Sequence, residues 1–322
     1  PILGRAPQLI GQLKRLRTDL AGTDVLTPDV LDKLYFVWLN SILSNPLTHA
    51  VNRLSNFAFR WSKIPERFFQ AAVDVPVSLA TGKRETFFGE VPAMLRGLRA
   101  KPSIPIAPGT KMDIYRGYNP FGTGRGAKTI AIPTEMLQRE DEISKRLVGQ
   151  MELYAQVYKE SARLGAKGAD AKIAEQMILA NPSNAIMNRV AKEQLYRTFQ
   201  DAPSIIGEVA LSARHKFKPL RYIIPFVRTP DRIAHAAFIE RTPAQLANIG
   251  RKWFLWKKIG NDYSQDEFTK DLSLLATSGA TAWWAGYQYL KGRITGDAPT
   301  NPGERAAFYA QGKKPKFYKG PP

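Results

Sequence analysis

Residues 272–290, LSLLATSGATAWWAGYQYL, carry no charge over nineteen consecutive positions in a chain whose formal net charge is +19. As a helix, at ~1.5 Å per residue, such a run is roughly 28 Å long, close to the ~30 Å hydrocarbon core of a bilayer. Length therefore permits a span, and Lys270, Lys291 and Arg293 flank it as anchors would. Composition opposes an unaided one: Ser273, Thr277, Ser278, Thr281 and Gln288 leave four leucines as the strong apolar drivers of insertion. Ser278, Ala282 and Gly286 recur at every fourth position, giving a small face along which helix backbones approach closely. The segment reads as a helix built to pack against other helices and to enter a bilayer only within an assembly. Ser278, Ala282, Trp283, Trp284 and Gly286 are its packing or membrane-facing residues.

The rest of the chain is also helical in pattern. Leu31, Leu34, Tyr35, Trp38 and Ile42 fall on one face, and Leu47, Val51, Leu54, Ala58 and Trp61 on another, each at three-to-four spacing. Between them Ser44-Asn45-Pro46 predicts a tight corner, with Asn45 as cap and Pro46 at the first helical position. Ile64, Phe68, Ala72 and Val75 continue an apolar stripe to about Gly82, with Pro65 and Pro76 as expected kinks or breaks. The stretch 101–133 holds five prolines and five glycines, too many for regular helix, so an extended arm over 100–132 is expected to contact a neighbour more than its own core. A long helix is expected to follow from Thr134, with Ile143, Leu147, Met151, Tyr154 and Tyr158 on one face, then shorter helices at about 169–180 and 182–200. No period-2 alternation persists, so the fold class is all-α: an elongated helical assembly of short Asn-Pro and Thr-Pro capped helices with a long irregular arm. The expected division is 1–99 N-terminal helical part, 100–132 arm, 133–220 central helical part, 221–296 basic-aromatic helices plus the uncharged helix, and 297–322 basic extended tail. ILSNPLTHAVNRL at 42–54 and ILANPSNAIMNRV at 178–190 share six of thirteen positions. They read either as convergence on a good helix start or as a duplicated corner module, with Asn52/Arg53 and Asn188/Arg189 in equivalent turns suited to a phosphate, a carbonyl or a neighbouring helix end.

Forty-seven Lys and Arg against 28 Asp and Glu point to a polyanionic partner: nucleic acid, anionic lipid or acidic protein surface. With no cysteine there is no disulfide, no thiolate nucleophile and no zinc-thiolate site. His49, His215 and His235 are far apart and form no HxxxH pair, so no metal or other cofactor is expected. GTGRGAKT at 122–129 imitates a phosphate-binding loop, but Ala127 stands at its last glycine and the β-branched run ending in Pro133 predicts no helix at Lys128. It reads as a flexible basic loop. Glu140, Asp141 and Glu142 lie among Arg139, Lys145 and Arg146 and read as a solvated, ion-paired helix face. No catalytic constellation emerges, and the chain is read as non-enzymatic. Because it begins at Pro1 without an initiator Met, it is expected to be a piece of a longer protein.

Between 221 and 258 Arg-Thr-Pro occurs at 228–230 and again at 241–243, each fitting a Thr cap followed by proline. The second helix ends in Arg251, Lys252, Trp253, Phe254, Trp256, Lys257 and Lys258. Basic residues interleaved with indole suit a lipid headgroup boundary; stacking plus charge suits single-stranded nucleic acid; aromatics turned inward are a third reading. Sequence-independent DNA phosphate contacts are expected from Arg214, Lys216, Lys218 and Arg221, and from the tail Lys313, Lys314, Lys316 and Lys319.

PFVRTP at 225–230, SNPLTHAVNRLSN at 44–56 and ITGDAPTNPGERAAFYAQGKKP at 294–315, taken in this order, resemble segments of the very large internal virion proteins of tailed bacteriophages, which include ejection proteins and other large polyvalent phage proteins. The family's usual ending carries Trp and Tyr-Ser where this chain has Lys313, Lys314 and Lys316-Phe317-Tyr318. The resemblance implies a protein packed in the capsid, released with the genome, and assembled as a homo-oligomer with other virion or ejection proteins into a conduit for double-stranded DNA across the host cell envelope. Its location would be the virion interior and then, on infection, the envelope membrane. The alternative it leaves open is a DNA-binding scaffold that stays in the particle around the packaged genome.

Overall fold

The computed structural model describes residues 30–101, 104–107, 119–217, 220–223, 226–259 and 263–319, without the side chains of Leu31, His215, Arg221 and 255–259. Among these residues the chain is all-helical and no strand forms; a single antiparallel bridge joins Ile294 to Tyr318. The helices are α1 Val30–Leu43, α2 Pro46–Trp61, α3 Lys63–Thr81, α4 Glu90–Arg99, α5 Arg125–Arg163, α6 Gly168–Ala180, α7 Asn184–Arg197, α8 Ile205–Lys216, α9 Leu220–Ile223, α10 Arg228–His235, α11 Ala244–Ile259, α12 Gln265–Leu290 and α13 Pro302–Ala310. A π-helical turn, Ala236–Glu240, links α10 to α11.

The axis of the molecule is α5, against which α1, α2, α4, α6 and α7 all pack. From Val148 to Val157 every residue but Tyr154 is buried, because neighbours surround the helix on all sides. Ile143, expected on its inward face, is exposed. Glycines allow the closest approaches. A Cβ on Gly97 of α4 would lie 2.6 Å from the Gln150 carbonyl oxygen, and one on Gly149 would lie 2.3 Å from the Gln194 side chain.

The helix α5 begins nine residues earlier than Thr134, at Arg125, and runs through Pro133. Proline has no N–H and clashes with the preceding turn. Here Asn40 of α1 braces the turn beside the proline, its Oδ1 accepting from the Thr134 N–H (3.2 Å) and hydroxyl (2.7 Å). The irregular arm is shorter to match. Residues 104–107 pack on their own core rather than outward: Ile104 and Ala107 are buried, the Ala107 N–H donates to Gln194 Oε1 (2.8 Å), and Lys145 Nζ donates to the Ala107 carbonyl (3.2 Å). Residues 102–103 and 108–118 of the arm, and residues 1–29 of the N-terminal part, lie outside the described residues.

The corner at 44–46 forms as its residues dictate: Asn45 Oδ1 accepts from the Leu47 N–H (2.9 Å) and Pro46 opens α2. Its relative at 178–190 is built differently, with Asn181 closing α6 and Ser183 capping α7. Of the two Thr-Pro starts, only the second caps, Thr242 Oγ1 accepting from the Ala244 N–H (3.3 Å), whereas α10 has already begun at Arg228.

Apolar packing is divided among small clusters: Ile104, Leu153, Val157, Ile186 and Val190; Tyr35, Leu39 and Leu43; and Met94, Met151 and Ala155. Several predicted apolar stripes face the wrong way. On α1 the buried residues are Tyr35, Phe36, Leu39 and Leu43, while Leu34 and Ile42 are exposed. On α2 and α3, Leu47, Val51, Leu54, Trp61 and Phe68 point outward, and His49, Asn56, Lys63, Glu66, Arg67, Gln70 and Asp74 are inside.

Candidate functional site

What those inward polar faces build is a buried network of charge. Lys63 Nζ lies 2.6 Å from Glu152 and 3.1 Å from Glu193; Arg67 bonds Glu152 (2.7 Å) and faces Glu90 (3.3 Å). Glu193 also receives Arg197 Nε (2.8 Å) and Lys270 Nζ (2.9 Å). Glu66 bridges Arg197 and Arg241, and both guanidinium groups lie over the Phe59 ring, at 4.9 and 4.7 Å. At one edge Asp266, in the first turn of α12, binds Lys159 (2.9 Å) and Arg189 (2.6 Å). The network ties α3, α4, α5, α7 and α12 together around a cavity of about 20 Å³, which is room for one water molecule.

Burial and neighbouring charge compete at every carboxylate. Burial would raise Glu152, but Arg67 and Lys63 overcome it and hold the group at about 2. Burial opposes Glu193 in the same way, and Lys270, Lys63 and Arg197 hold it well below the usual range. At Glu90 burial wins over the Arg67 charge and pushes the carboxyl up to about 7. Burial also pulls Lys63 down against Glu152 and Glu193. A larger cleft of about 460 Å³ opens beside the network between α7, α11 and α12. Its charges pair across it, Lys192 with Glu267, Lys252 with Asp271 and Arg232 with Glu240.

The uncharged stretch 272–290 divides in two. Its first part packs against α3, with Ser273 and Leu274 buried; beyond Ser278 nearly every side chain is exposed, Trp283 at 72% and Leu290 at 84%. The hydroxyls of Ser273, Thr277, Ser278 and Thr281 each donate to a carbonyl three or four residues back, which hides their polarity within the helix. Among the described residues no partner helix covers the small face: Ala282 is exposed, and a Cβ on Gly286 would meet nothing within 4 Å. Trp283 stacks on Tyr287 with ring centroids 5.8 Å apart. Among the described residues no helix is long and apolar enough to cross a membrane.

The tail, expected to be extended, folds back beside this half-helix. Asn301 caps α13, and the chain then returns so that Thr295 N–H donates to the Phe317 carbonyl (3.0 Å) and Lys319 N–H to that of Arg293 (2.8 Å). Tyr318 thereby reaches Trp284, centroids 5.9 Å apart. The tail that carries the exposed lysines, read from sequence separately from the α12 aromatics, is thus joined to them through this ring contact.

The remaining expected contacts are scattered. Arg214 is buried and unavailable to a phosphate, Lys216 is exposed, and Lys218 and the Arg221 side chain lie outside the described residues. Lys313, Lys314 and Lys319 are exposed, and Lys316 pairs with Asp297 (3.0 Å) on the surface. Arg251, Trp253 and Phe254 are exposed on α11, whereas Lys252 is turned inward onto Asp271 (2.7 Å) and the Tyr263 ring. The Trp256, Lys257 and Lys258 side chains lie outside the described residues. The chain matches no family model, no curated protein and no solved structure.

The sequence reading missed the ionic network, although a signal was present. Lys63, Glu66, Arg67, Gln70 and Asp74 recur at helical spacing with mixed sign, as an apolar stripe would.

Proposed function

We propose that this chain is a segment of a phage internal virion or ejection protein, released with the genome, which helps build an oligomeric conduit for DNA across the host cell envelope without catalysing a reaction. The observation that carries the reading is the outer half of α12, where Ala282, Trp283 and Gly286 are exposed, together with the returning tail, which brings Tyr318 to Trp284 and carries the exposed Lys313, Lys314 and Lys319. A small face of this kind favours close helix–helix packing between protomers. Exposed lysines on a chain of net charge +19 favour a polyanion threaded past them. The resemblance of three sequence segments, in their order, to tailed-phage internal virion proteins supports the biological setting.

The test is DNA binding and membrane association by one preparation. Double-stranded DNA should bind without sequence preference and weaken steeply with salt, and Lys313→Ala/Lys314→Ala/Lys319→Ala should reduce the slope of log affinity against log salt by up to about 3. A strong preference for one sequence, or binding indifferent to salt, contradicts the reading. Salt-sensitive DNA binding with no membrane association points instead to a scaffold that stays around the packaged genome.

A further inference from the structure

The helix α2 is mounted inside out. Its sequence, PLTHAVNRLSNFAFRW, is strongly amphipathic, and folding buries the polar side. Asn52 Nδ2 and Arg53 Nε donate to Glu140 (3.0 and 2.8 Å), Asn56 Nδ2 donates to Asp141 (3.3 Å), and the buried His49 lies 3.3 Å from Glu140. These contacts hold the polar face of α2 against α5, and Phe59 is its inward aromatic, packed on Tyr196 and Phe199. The apolar face looks outward: Leu47 is 66% exposed, Val51 55%, Leu54 68%, Phe57 49% and Trp61 40%. At the end of this stripe Trp61 lies against Phe57 (centroids 5.8 Å), and the Arg60 guanidinium sits 5.5 Å from the Phe57 ring.

We infer that this stripe is a docking face for an anionic lipid surface, on which the protein lies as a monotopic membrane protein. The inference is independent of the α12 reading. Three observations choose the occupant. Sixteen residues make a helix of roughly 24 Å, too short to cross ~30 Å of hydrocarbon but suited to lie in the headgroup boundary with Trp, Phe and Leu inserted. The stripe ends in an aromatic-basic group, Trp61 against Phe57 with the Arg60 guanidinium over the Phe57 ring, which suits a headgroup boundary. The rim is complementary to anionic headgroups: α2 has no acidic residue, Arg60 flanks the stripe, and Arg53, although its Nε holds Glu140, keeps 65% of its side chain exposed, in a chain of net charge +19. A second copy would bring the same cations to face one another.

The experiment is flotation of the full chain with vesicles of phosphatidylcholine alone or mixed with phosphatidylglycerol, with helix content of every variant checked by circular dichroism. Wild type should float with the mixed vesicles and not with phosphatidylcholine. Leu54→Glu should lower the bound fraction at least tenfold while Leu54→Met binds as wild type, and Trp61→Phe should remove part of the tryptophan quenching by brominated lipid. Trp283→Gln/Trp284→Gln separates the two surfaces. Loss in that variant with binding retained by Leu54→Glu overturns the α2 assignment and leaves the α12 surface standing; the reverse pattern supports α2. Absence of wild-type binding, or equal binding to both vesicle types, overturns the inference. So does an oligomer dissolved by Leu54→Glu in sedimentation without any vesicle association, which would give the face to a second copy.

Discussion

Replacing Glu193 by glutamine removes one negative charge from a point where three cations converge, the buried Lys63 at 3.1 Å and Arg197 at 2.8 Å and the partly exposed Lys270 at 2.9 Å. Lys63 and Arg197 are each 2% exposed, so bulk solvent cannot replace the lost partner and the adjoining cavity has room for one water at most. Taking one member from a buried pair costs about 3–5 kcal/mol, because the remaining charge is stranded away from solvent. Glutamine keeps the volume and one acceptor oxygen, so packing is not the cause of the loss. Against a total stability of about 5–15 kcal/mol, a loss of that size is a large fraction. In urea it should move the unfolding midpoint by on the order of 1 M. Lys192→Ala is the matched control, since its 2.9 Å pair with Glu267 lies at the surface with side chains 75% and 40% exposed and should change stability by less than about 1 kcal/mol. A Glu193→Gln loss no larger than that of Lys192→Ala would refute the claim that the ionic network holds the helices together.

Further outcomes follow from the same packing. Glu90 has a folded pKa of about 7, raised by burial, so its neutral form is favoured in the folded state and stability should fall as pH rises from about 4.5 through 7, by on the order of 2 kcal/mol. Denaturation at pH 5 and pH 8 should show this fall in wild type and its loss in Glu90→Gln. Glu152 and Glu240, both held at about 2, act in the opposite sense: their contribution is complete above the unfolded value and is lost as pH falls from about 4.5 toward 2, so acid unfolding should begin in that range. Gly97→Ala should cost about 1–3 kcal/mol in thermal or chemical unfolding, since its Cβ would lie 2.6 Å from the Gln150 carbonyl and α4 must move off α5.

Local signals in the sequence located helices well. Asn45-Pro46, Gly82 with φ 72° closing α3, and the α6 and α7 segments all lie close to where capping chemistry puts them. The start of α5 was hidden because its support is not local: Asn40, ninety-four residues away, accepts from the Thr134 N–H and hydroxyl next to Pro133. The inward faces were misread for one physical reason. Periodicity reports which residues share a face, and the assumption that the apolar face goes inside fails where ion pairs form the core, as at Lys63, Glu66 and Arg67. The joining of Trp284 to Tyr318 was also beyond the sequence, because it depends on the tail reversing after α13.

The outer half of α12 is the central claim, and dye release from anionic liposomes by wild type and Gly286→Leu at matched concentration tests it most directly. A Cβ at Gly286 meets nothing within 4 Å, so the substitution leaves the protomer fold intact while adding apolar surface at ~0.5 kcal/mol of favourable insertion for a leucine. If the small face governs approach between protomers, Gly286→Leu releases less dye than wild type despite its greater hydrophobicity. Release enhanced by the substitution, or none by either protein, would contradict the account.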